Sequence, residues 1–297
     1  MHLLGGGRDG IRRWRLTDGQ EVGKQTGMKL WAISASRDHK WVLCGTDEGA
    51  SVWDAEVHEK IIEVEGRHRV SAVDISPDST MVATGTGWGD DKASIWNITS
   101  GERLVGPLEH DELVTGIRFS PNGEQVATSG LGGSIHIFSA RNGDQLIDIK
   151  TIVPSTWPNI PLAWSSDAEQ IFATSSDKKI RSFAVSTGSQ LAESPILDGG
   201  YDKSIALAPN GKFIATYAGP SISLLDTSTL SHIIPAIEDV EYIFSIAISL
   251  DGNYLAIGRA DSKINVRNLG SILPDSYGPF HVSICPLTML APFRLPC

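Results

Sequence analysis

The chain has 297 residues, of which 41% are apolar, and a formal net charge of -10 at pH 7. This apolar content is enough for a folded core, and the negative charge argues against binding to a phosphate backbone, which relies on lysine and arginine. Cys44, Cys285 and Cys297 are widely spaced without a metal-binding pattern, and no apolar run is long enough to span a bilayer. We therefore expect a cytoplasmic or nuclear protein with no cofactor, no metal, no nucleic-acid partner and no membrane insertion.

One pattern of short strands recurs along the chain. In its clearest copy, residues 110–139, apolar residues alternate with a period of two in three segments, which predicts three half-buried strands. The turn Ser120-Pro121-Asn122-Gly123 separates the first two, because Asn-Gly tolerates a positive φ. Related turns lie at 36–38, 76–78, 166–167, 208–211 and 249–252. Each turn precedes a second strand with small residues at its centre, which predicts close approach of neighbouring sheets.

A bulky residue ends the third strand of each copy. The series is Trp14, Trp53, Trp96, Phe138, Phe183, Leu225 and Arg267. Successive members are separated by 39, 43, 42, 45, 42 and 42 residues. A turn and a fourth short strand follow most of them, and four short strands per repeat of about 42 residues are typical of a propeller blade. The sequence therefore predicts an all-β protein.

These residues resemble the WD40-repeat (β-transducin-like) family. The dipeptide Trp53-Asp54 matches the family's signature, Trp96-Asn97 is close to it, and the resemblance extends from about Gly5 to Asn268. It implies one domain over residues 1–297, folded as a seven-bladed WD40-type β-propeller. It also implies a non-catalytic scaffold for protein–protein interaction, with no enzymatic activity.

Both termini are predicted to close the ring. Residues 2–6 and 11–14 read as the second and third strands of a first blade, whose first strand is missing on the N-terminal side. Residues 281–287 alternate like a first strand, so we expect them to pair with residues 2–6 and close blade 1. Two alternatives are that the Pro-rich tail is disordered and that the chain is a fragment of a longer repeat array.

The family resemblance also implies a structural hydrogen-bond network in each blade. Its members are a His before the first strand, a Ser or Thr in the second strand, the bulky Trp, and an Asp in the turn before the third strand. The residues that match these positions are Asp47, Asp90, Asp177, His110, His68, Trp53 and Trp96, with Asp9 and Asp261 in equivalent turns. The fourth blade has Gly132 where Asp is expected. We expect these residues to be structural rather than catalytic or metal-binding.

Binding is predicted on the face that carries the loops before the first strands and the turns before the third strands, called the top face below. The residues just before first strands include Lys29, Arg69, Trp157, Tyr201 and Tyr242. Trp88 lies in a lengthened, Gly-rich turn. The acids close to the two tyrosines in sequence, Asp202, Asp239 and Glu241, favour a basic peptide. Alternatively, Trp157, Tyr201 and Tyr242 fill gaps between blades. The role of Trp31, one residue after a predicted strand start, is left open.

Two other functions remain alternatives at this point. One is a propeller enzyme with a central pocket, similar to some glycosidases, which requires converging carboxylate or Tyr side chains. The other is a regulatory or sensor module of a larger multidomain protein. The sequence does not name a partner.

Overall fold

The computed structural model describes residues 2–7, 10–15, 18–22, 27–57, 59–66, 68–87, 92–110, 112–150, 161–175, 177–197, 204–261, 263–278 and 287–288. The predicted β-propeller class is confirmed, because antiparallel sheets of consecutive strands follow one another along the chain. The first strands of neighbouring sheets contact one another and form an inner ring.

Six of the sheets are blades of the repeat, and we number them 2 to 7. Blade 2 contains β3 (Ala32–Ala35), β4 (Trp41–Gly45), β5 (Gly49–Asp54) and β6 (Lys60–Gly66), and blade 3 contains β7 (Val70–Ile75), β8 (Met81–Thr86), β9 (Lys92–Asn97) and β10 (Arg103–Glu109). Blade 4 contains β11 (Val114–Phe119), β12 (Gln125–Gly130), β13 (Ser134–Ser139) and β14 (Gln145–Lys150), and blade 5 contains β15 (Leu162–Trp164), β16 (Gln170–Thr174), β17 (Ile180–Ala184) and β18 (Gln190–Glu193). Blade 6 contains β19 (Ile205–Leu207), β20 (Phe213–Ala218), β21 (Ser221–Asp226) and β22 (Ile237–Glu238), and blade 7 contains β23 (Ile243–Ile248), β24 (Tyr254–Arg259) and β25 (Ile264–Asn268).

The remaining sheet joins the two ends of the described chain. It contains β1 (His2–Gly7), β2 (Gly10–Arg15) and β26 (Leu287–Thr288), in the order β2-β1-β26. Leu3 pairs with Leu287 and Leu4 with Thr288, and this pairing is parallel.

The count of seven blades is therefore wrong. The first strand of a blade runs antiparallel to its second strand, as in blades 2 to 7, whereas β26 runs parallel to β1. The described residues thus form six blades and one terminal sheet of different topology. Residues His281–Pro286, the greater part of the predicted closing strand, lie outside the described residues. The closure and the single-domain description stay predictions.

The turns between first and second strands are closed locally. Ser76 Oγ donates to Asp78 Oδ1 at 2.6 Å and accepts the Met81 N–H at 2.9 Å, and Ser249 repeats this pattern with Asp251 and Tyr254. In blade 5 the serine of this turn is Ser165, not Ser166 as the sequence pattern suggested. The residue after the Asp or Asn has a positive φ in each turn, at His39, Ser79, Gly123, Ala168, Gly211 and Gly252.

Small residues in the second strands bring neighbouring blades together, as predicted. A Cβ atom on Gly85 would lie 2.6 Å from Val114 Cγ1, and one on Gly45 would lie 2.7 Å from the Val70 carbonyl oxygen. Both contacts are made by the first strand of the next blade, so a larger residue here would push two sheets apart.

After β25 the chain makes two short 3-10 turns, Leu269–Ser271 and Asp275–Tyr277. Leu269 and Leu273 are buried in the core cluster between blades 6 and 7.

Candidate functional site

Part of the predicted structural network is present in blade 3. Trp96 Nε1 donates to Thr84 Oγ1 at 2.9 Å, which joins the third strand to the second. In blade 2 the position of Thr84 is taken by Cys44, and a thiol is a weak acceptor. Trp53 Nε1 donates instead to Ser51 Oγ in its own strand, at 2.8 Å. The Trp therefore keeps an acceptor in both blades, although only blade 3 uses the predicted one.

His110 in blade 4 has aromatic neighbours. Its ring lies 5.1 Å from the His136 ring and 5.7 Å from the Phe138 ring, measured between centroids. Among the described residues, its buried Nε2 has no hydrogen-bond partner, which agrees with the presence of Gly132 where the network requires Asp. Burial, reinforced by His136, lowers the pKa of His110 to about 4, so the ring is neutral at pH 7. His68, the other predicted network histidine, is exposed.

The predicted turn aspartates bind cations or an indole. Asp177 accepts from Arg181, which also pairs with Glu193 at 3.3 Å, and Arg181 holds the pKa of Asp177 far below its usual range. In the equivalent turn of blade 7, Asp261 accepts from Arg259 at 2.6 Å, and this bond likewise lowers the pKa of Asp261. In these two blades the turn aspartate is thus paired with an arginine of its own blade.

A cation–aromatic cluster lies on the top face between blades 2 and 3. It consists of Lys29, Trp31, Asp47 and Arg69, and we call it the Trp31 cluster. The Arg69 guanidinium carbon lies 3.3 Å from the Trp31 ring centroid, and Lys29 Nζ lies 4.1 Å from it. Trp31 Nε1 donates to Asp47 Oδ1 at 2.7 Å, and Lys29 Nζ lies 3.5 Å from Asp47 Oδ2. The Trp31 ring is therefore held in one orientation by groups from two blades.

The Trp31 cluster presents both a negative and a positive charge near the surface. The Asp47 side chain is 52% exposed, whereas that of Arg69 is 26% exposed. Partial burial lowers the pKa of Arg69, and the Asp47 carboxylate opposes this effect. Sequence reasoning selected Lys29, Arg69 and Asp47 but left Trp31 open, because the stacking depends on a contact between separate blades.

Blade 7 presents a second exposed segment on the top face, at residues 240–242. Val240 is 86% exposed and Tyr242 is 57% exposed, and Glu241 between them is also exposed. Tyr242 therefore does not fill a gap between blades. Asp239 differs from its neighbours: its side chain is 2% exposed and lies 3.4 Å from both Arg259 and Arg267. These ion pairs occupy the carboxylate, so Asp239 is not part of the exposed surface.

Six of the predicted residues fall on parts of the chain that the structure does not describe. Trp88, Asp90, Trp157, Tyr201 and Asp202, together with Asp9, lie outside the described residues.

The inner ring carries a polar connection that sequence reasoning missed. Asp74 Oδ2 accepts the Phe119 N–H at 2.8 Å, and Asp74 Oδ1 accepts from Ser34 Oγ at 3.3 Å and lies 3.7 Å from Arg118 Nη1. Burial raises the pKa of Asp74, although Arg118 opposes this shift. Ser34, Asp74 and Arg118 occupy one register position, two residues before the turn serine, and this shared offset is the only signal in the sequence. The connection joins blades 2, 3 and 4.

No metal cluster is found in the part of the chain that the structure describes: no group of three or more His, Cys, Asp or Glu residues is placed to hold an ion. Within the same residues, no helix is long and apolar enough to cross a membrane.

Comparison with known proteins agrees with this architecture. Residues 59–97 and 103–139 match the family model described as WD domain, G-beta repeat (WD40). The chain is a β-propeller that carries WD40 repeats. The resemblance inferred from Trp53-Asp54 and Trp96-Asn97 is thereby confirmed, and each matched segment of this WD40 propeller begins near the fourth strand of one blade and ends in the third strand of the next.

Relatives of this WD40 propeller include two proteins named small ribosomal subunit protein RACK1. The one from Caenorhabditis elegans is 28% identical over 160 residues, 51% of this chain and 48% of the relative, and the one from Drosophila melanogaster is 29% identical over 153 residues, 49% and 46% respectively. The chain thus spans about half the length of these two relatives. Periodic tryptophan protein 2 of Arabidopsis thaliana is 32% identical over 85 residues, 28% of this chain and 9% of that protein.

A solved structure shows the same fold. The β-propeller domain of Cps50 (Swd1) from Myceliophteria thermophila superimposes with a TM-score of 0.71 and 17% identity, covering 88% of this chain and 91% of that one. At this identity the likeness concerns the fold alone.

Proposed function

We propose that this WD40 propeller is a non-catalytic scaffold that binds a protein or peptide on its top face. The observation that carries the proposal is the Trp31 cluster, in which an indole ring is contacted by two cations and lies beside a half-exposed carboxylate. Aromatic and arginine side chains dominate the energy of protein interfaces, and a ring already fixed in place loses little entropy on binding.

The segment at residues 240–242 supplies a second contact on the same face. Tyr242 and Val240 offer exposed apolar area, and Glu241 offers a negative charge. A partner that reaches both this segment and the Trp31 cluster is bound across the inner ring, so its two contacts reinforce each other.

The proposed partner is a basic peptide segment or a protein that presents one. Glu241, Glu48 and Asp47 are exposed carboxylates on the top face, and the whole chain carries a net charge of -10. Complementary charge speeds association and suppresses wrong partners. Two relatives are named as proteins of the small ribosomal subunit, that is, as components of a larger assembly, which supports a role in assembly for this chain.

The test is quantitative affinity purification with three variants of the full chain. Trp31→Ala and Tyr242→Ala each remove one top-face contact, and Leu191→Ala is the matched control because Leu191 is 54% exposed on the outer strand of blade 5. We expect the two top-face variants to lose the same bound proteins, while Leu191→Ala keeps them. Thermal unfolding of all variants checks that the fold is retained. Recovery of an identical set of proteins with all four chains would reject the top-face proposal.

A further inference from the structure

A segment of this chain covers the bottom face of blade 6. The bottom face, opposite the top face, carries the turns between first and second strands and those between third and fourth strands. Lys212 Nζ donates to the Ser276 carbonyl oxygen at 2.9 Å, and the Tyr277 hydroxyl donates to Asp226 Oδ2 at 2.6 Å. Leu273, in the same segment, is buried in the cluster between blades 6 and 7. Blade 6 thus shows how a short apolar segment with a tyrosine docks here.

The pair of blade 6 residues that receives this segment recurs in blade 2. Lys40 stands at the position of Lys212, and Asp54 at the position of Asp226. The backbone confirms the register, because Ala55 N–H donates to the Lys40 carbonyl at 2.9 Å and Thr227 N–H donates to the Lys212 carbonyl at 3.1 Å.

The two carboxylates are also oriented alike. Asp54 Oδ1 accepts the N–H groups of the residues two and three positions later, at 2.8 and 2.9 Å. Asp226 Oδ1 does the same at 2.9 and 3.1 Å, which leaves Oδ2 to accept from Tyr277. Because Oδ1 closes the same turn in both blades, Oδ2 of Asp54 faces the equivalent direction.

The other blades lack this combination. The corresponding pairs are Thr80 and Asn97 in blade 3, Glu124 and Ser139 in blade 4, Glu169 and Ala184 in blade 5, and Asn253 and Asn268 in blade 7. A lysine donor beside a carboxylate acceptor therefore occurs in blades 2 and 6 of the described blades.

In blade 2 the equivalent side chains are at least partly exposed in the part of the chain that the structure describes. The Lys40 side chain is 72% exposed, with its Nζ 3.9 Å from Asp38 Oδ2. Two apolar residues that follow Asp54 in the chain, Val57 and Ile61, are 57% and 49% exposed. The equivalent of Ile61 in blade 6 is Ile233, which is partly buried in the cluster that includes Ile272 and Tyr277. Blade 2 thus has the polar pair and the apolar surface, and no segment among the described residues covers them.

We propose that the bottom face of blade 2 is a second protein-docking site, which takes a tyrosine-containing apolar segment of a partner protein. The tyrosine hydroxyl donates to Asp54 Oδ2, a main-chain carbonyl of the segment accepts from Lys40, and its aliphatic side chains cover Val57 and Ile61. This site lies opposite the top face, so the propeller holds two partners at once.

A fluorescent synthetic peptide, SILPDSYG, which copies residues 271–278, is the probe, and binding is followed by anisotropy with the full chain. Asp54→Asn is the informative variant, since Asn97 in blade 3 closes the same turn through its Oδ1, at 2.9 Å from the N–H groups of Thr99 and Ser100. The variant therefore keeps the fold and replaces one acceptor oxygen by a donor. We expect it to weaken binding about tenfold, and we expect Lys40→Gln to weaken it several-fold.

Two controls locate the site. A peptide in which the tyrosine is replaced by phenylalanine should bind wild type as weakly as the tyrosine peptide binds Asp54→Asn. Asn97→Ala, on the bottom face of blade 3, should leave binding unchanged. The proposal is overturned if the peptide does not bind at millimolar concentration, if Asp54→Asn binds it like wild type, or if Asp226→Asn alone alters binding, which places the peptide on blade 6. If the full chain self-associates and Asp54→Asn abolishes this self-association, the site binds a second copy of the chain, and the proposal of a partner protein is overturned.

Discussion

The neutral, mostly buried His110 should make the protein less stable in mild acid. The pKa of His110 is lowered to about 4 from 6.5, because burial and His136 disfavour the charged ring. As pH falls from 7, the unfolded chain binds a proton at His110 before the folded chain does. His110 therefore lowers the free energy of unfolding as the pH falls from 6.5 to 4, and it causes no further loss below pH 4.

The size of the effect follows from this pKa difference. From pH 7 to pH 5 the linkage relation gives a loss of about 2 kcal/mol, and partial solvent screening of the ring reduces it to between about 1 and 2 kcal/mol. His110→Gln removes the titration, so the variant should lose less stability than wild type over this interval by that amount. His136, whose ring lies 5.1 Å from the His110 ring and whose Nδ1 lies 3.5 Å from Asp148 Oδ1, is retained in both proteins.

The assay is urea unfolding of both proteins at pH 7 and pH 5, followed by tryptophan fluorescence. Only the difference between the two pH-dependent losses is interpreted, so the fixed cost of placing Gln in the site cancels. His68→Gln is the matched control, because His68 lies before the first strand of blade 3 and is exposed. If His110→Gln and wild type lose the same free energy of unfolding within about 0.5 kcal/mol, the reasoning about His110 is refuted.

Substitutions at three further positions, Thr84, Ala168 and Asp74, are tested by urea unfolding at pH 7. Thr84→Val removes the acceptor of Trp96 Nε1 and should cost about 1–2 kcal/mol, and this cost should largely vanish in a Trp96→Phe background. Ala168→Gly relieves a φ of 61° and should raise the free energy of unfolding by about 0.5–1 kcal/mol, whereas an unchanged or lower value would contradict the strain. Asp74→Ala leaves the Phe119 N–H without its acceptor and should cost about 2–3 kcal/mol, while Asp74→Asn keeps an acceptor and should change stability by less than about 1 kcal/mol. Equal losses for the two Asp74 variants would contradict that account.

The repeat could be predicted because its signals are local. Ser76, Asp78 and the N–H of Met81 close one turn among themselves, and the alternation of apolar residues depends on neighbours two positions apart. Such patterns need no knowledge of distant residues. The strands of blades 2 to 6 and the bulky ends of their third strands were therefore found where the sequence placed them.

The terminal sheet could not be predicted in the same way. Leu287 and Leu3 are almost a whole chain apart, and nothing in an alternating apolar segment specifies whether it runs parallel or antiparallel to its neighbour. The sequence pattern indicated a blade there, whereas the described strands pair in parallel. Direction depends on the path that the chain takes between the two strands, not on the strands themselves.

The candidate site was only partly predictable for a related reason. The position before a first strand identified Lys29, Arg69 and Tyr242 as top-face residues, because loop positions follow from the repeat. The same reasoning chose Asp239, whose carboxylate is buried against Arg259 and Arg267. It left Trp31 undecided, although its ring is the centre of a cluster.

By itself, the sequence determined the all-β class, the repeat, the turns and the face on which each loop lies, because these follow from interactions between residues a few positions apart. Only the tertiary structure decided which partner each polar side chain has. Arg69 with Trp31, Asp74 with Phe119, and Tyr277 with Asp226 are pairs from different blades or from a blade and the segment that covers it. Their distances are set by how the sheets pack side by side, and packing is a property of the whole ring.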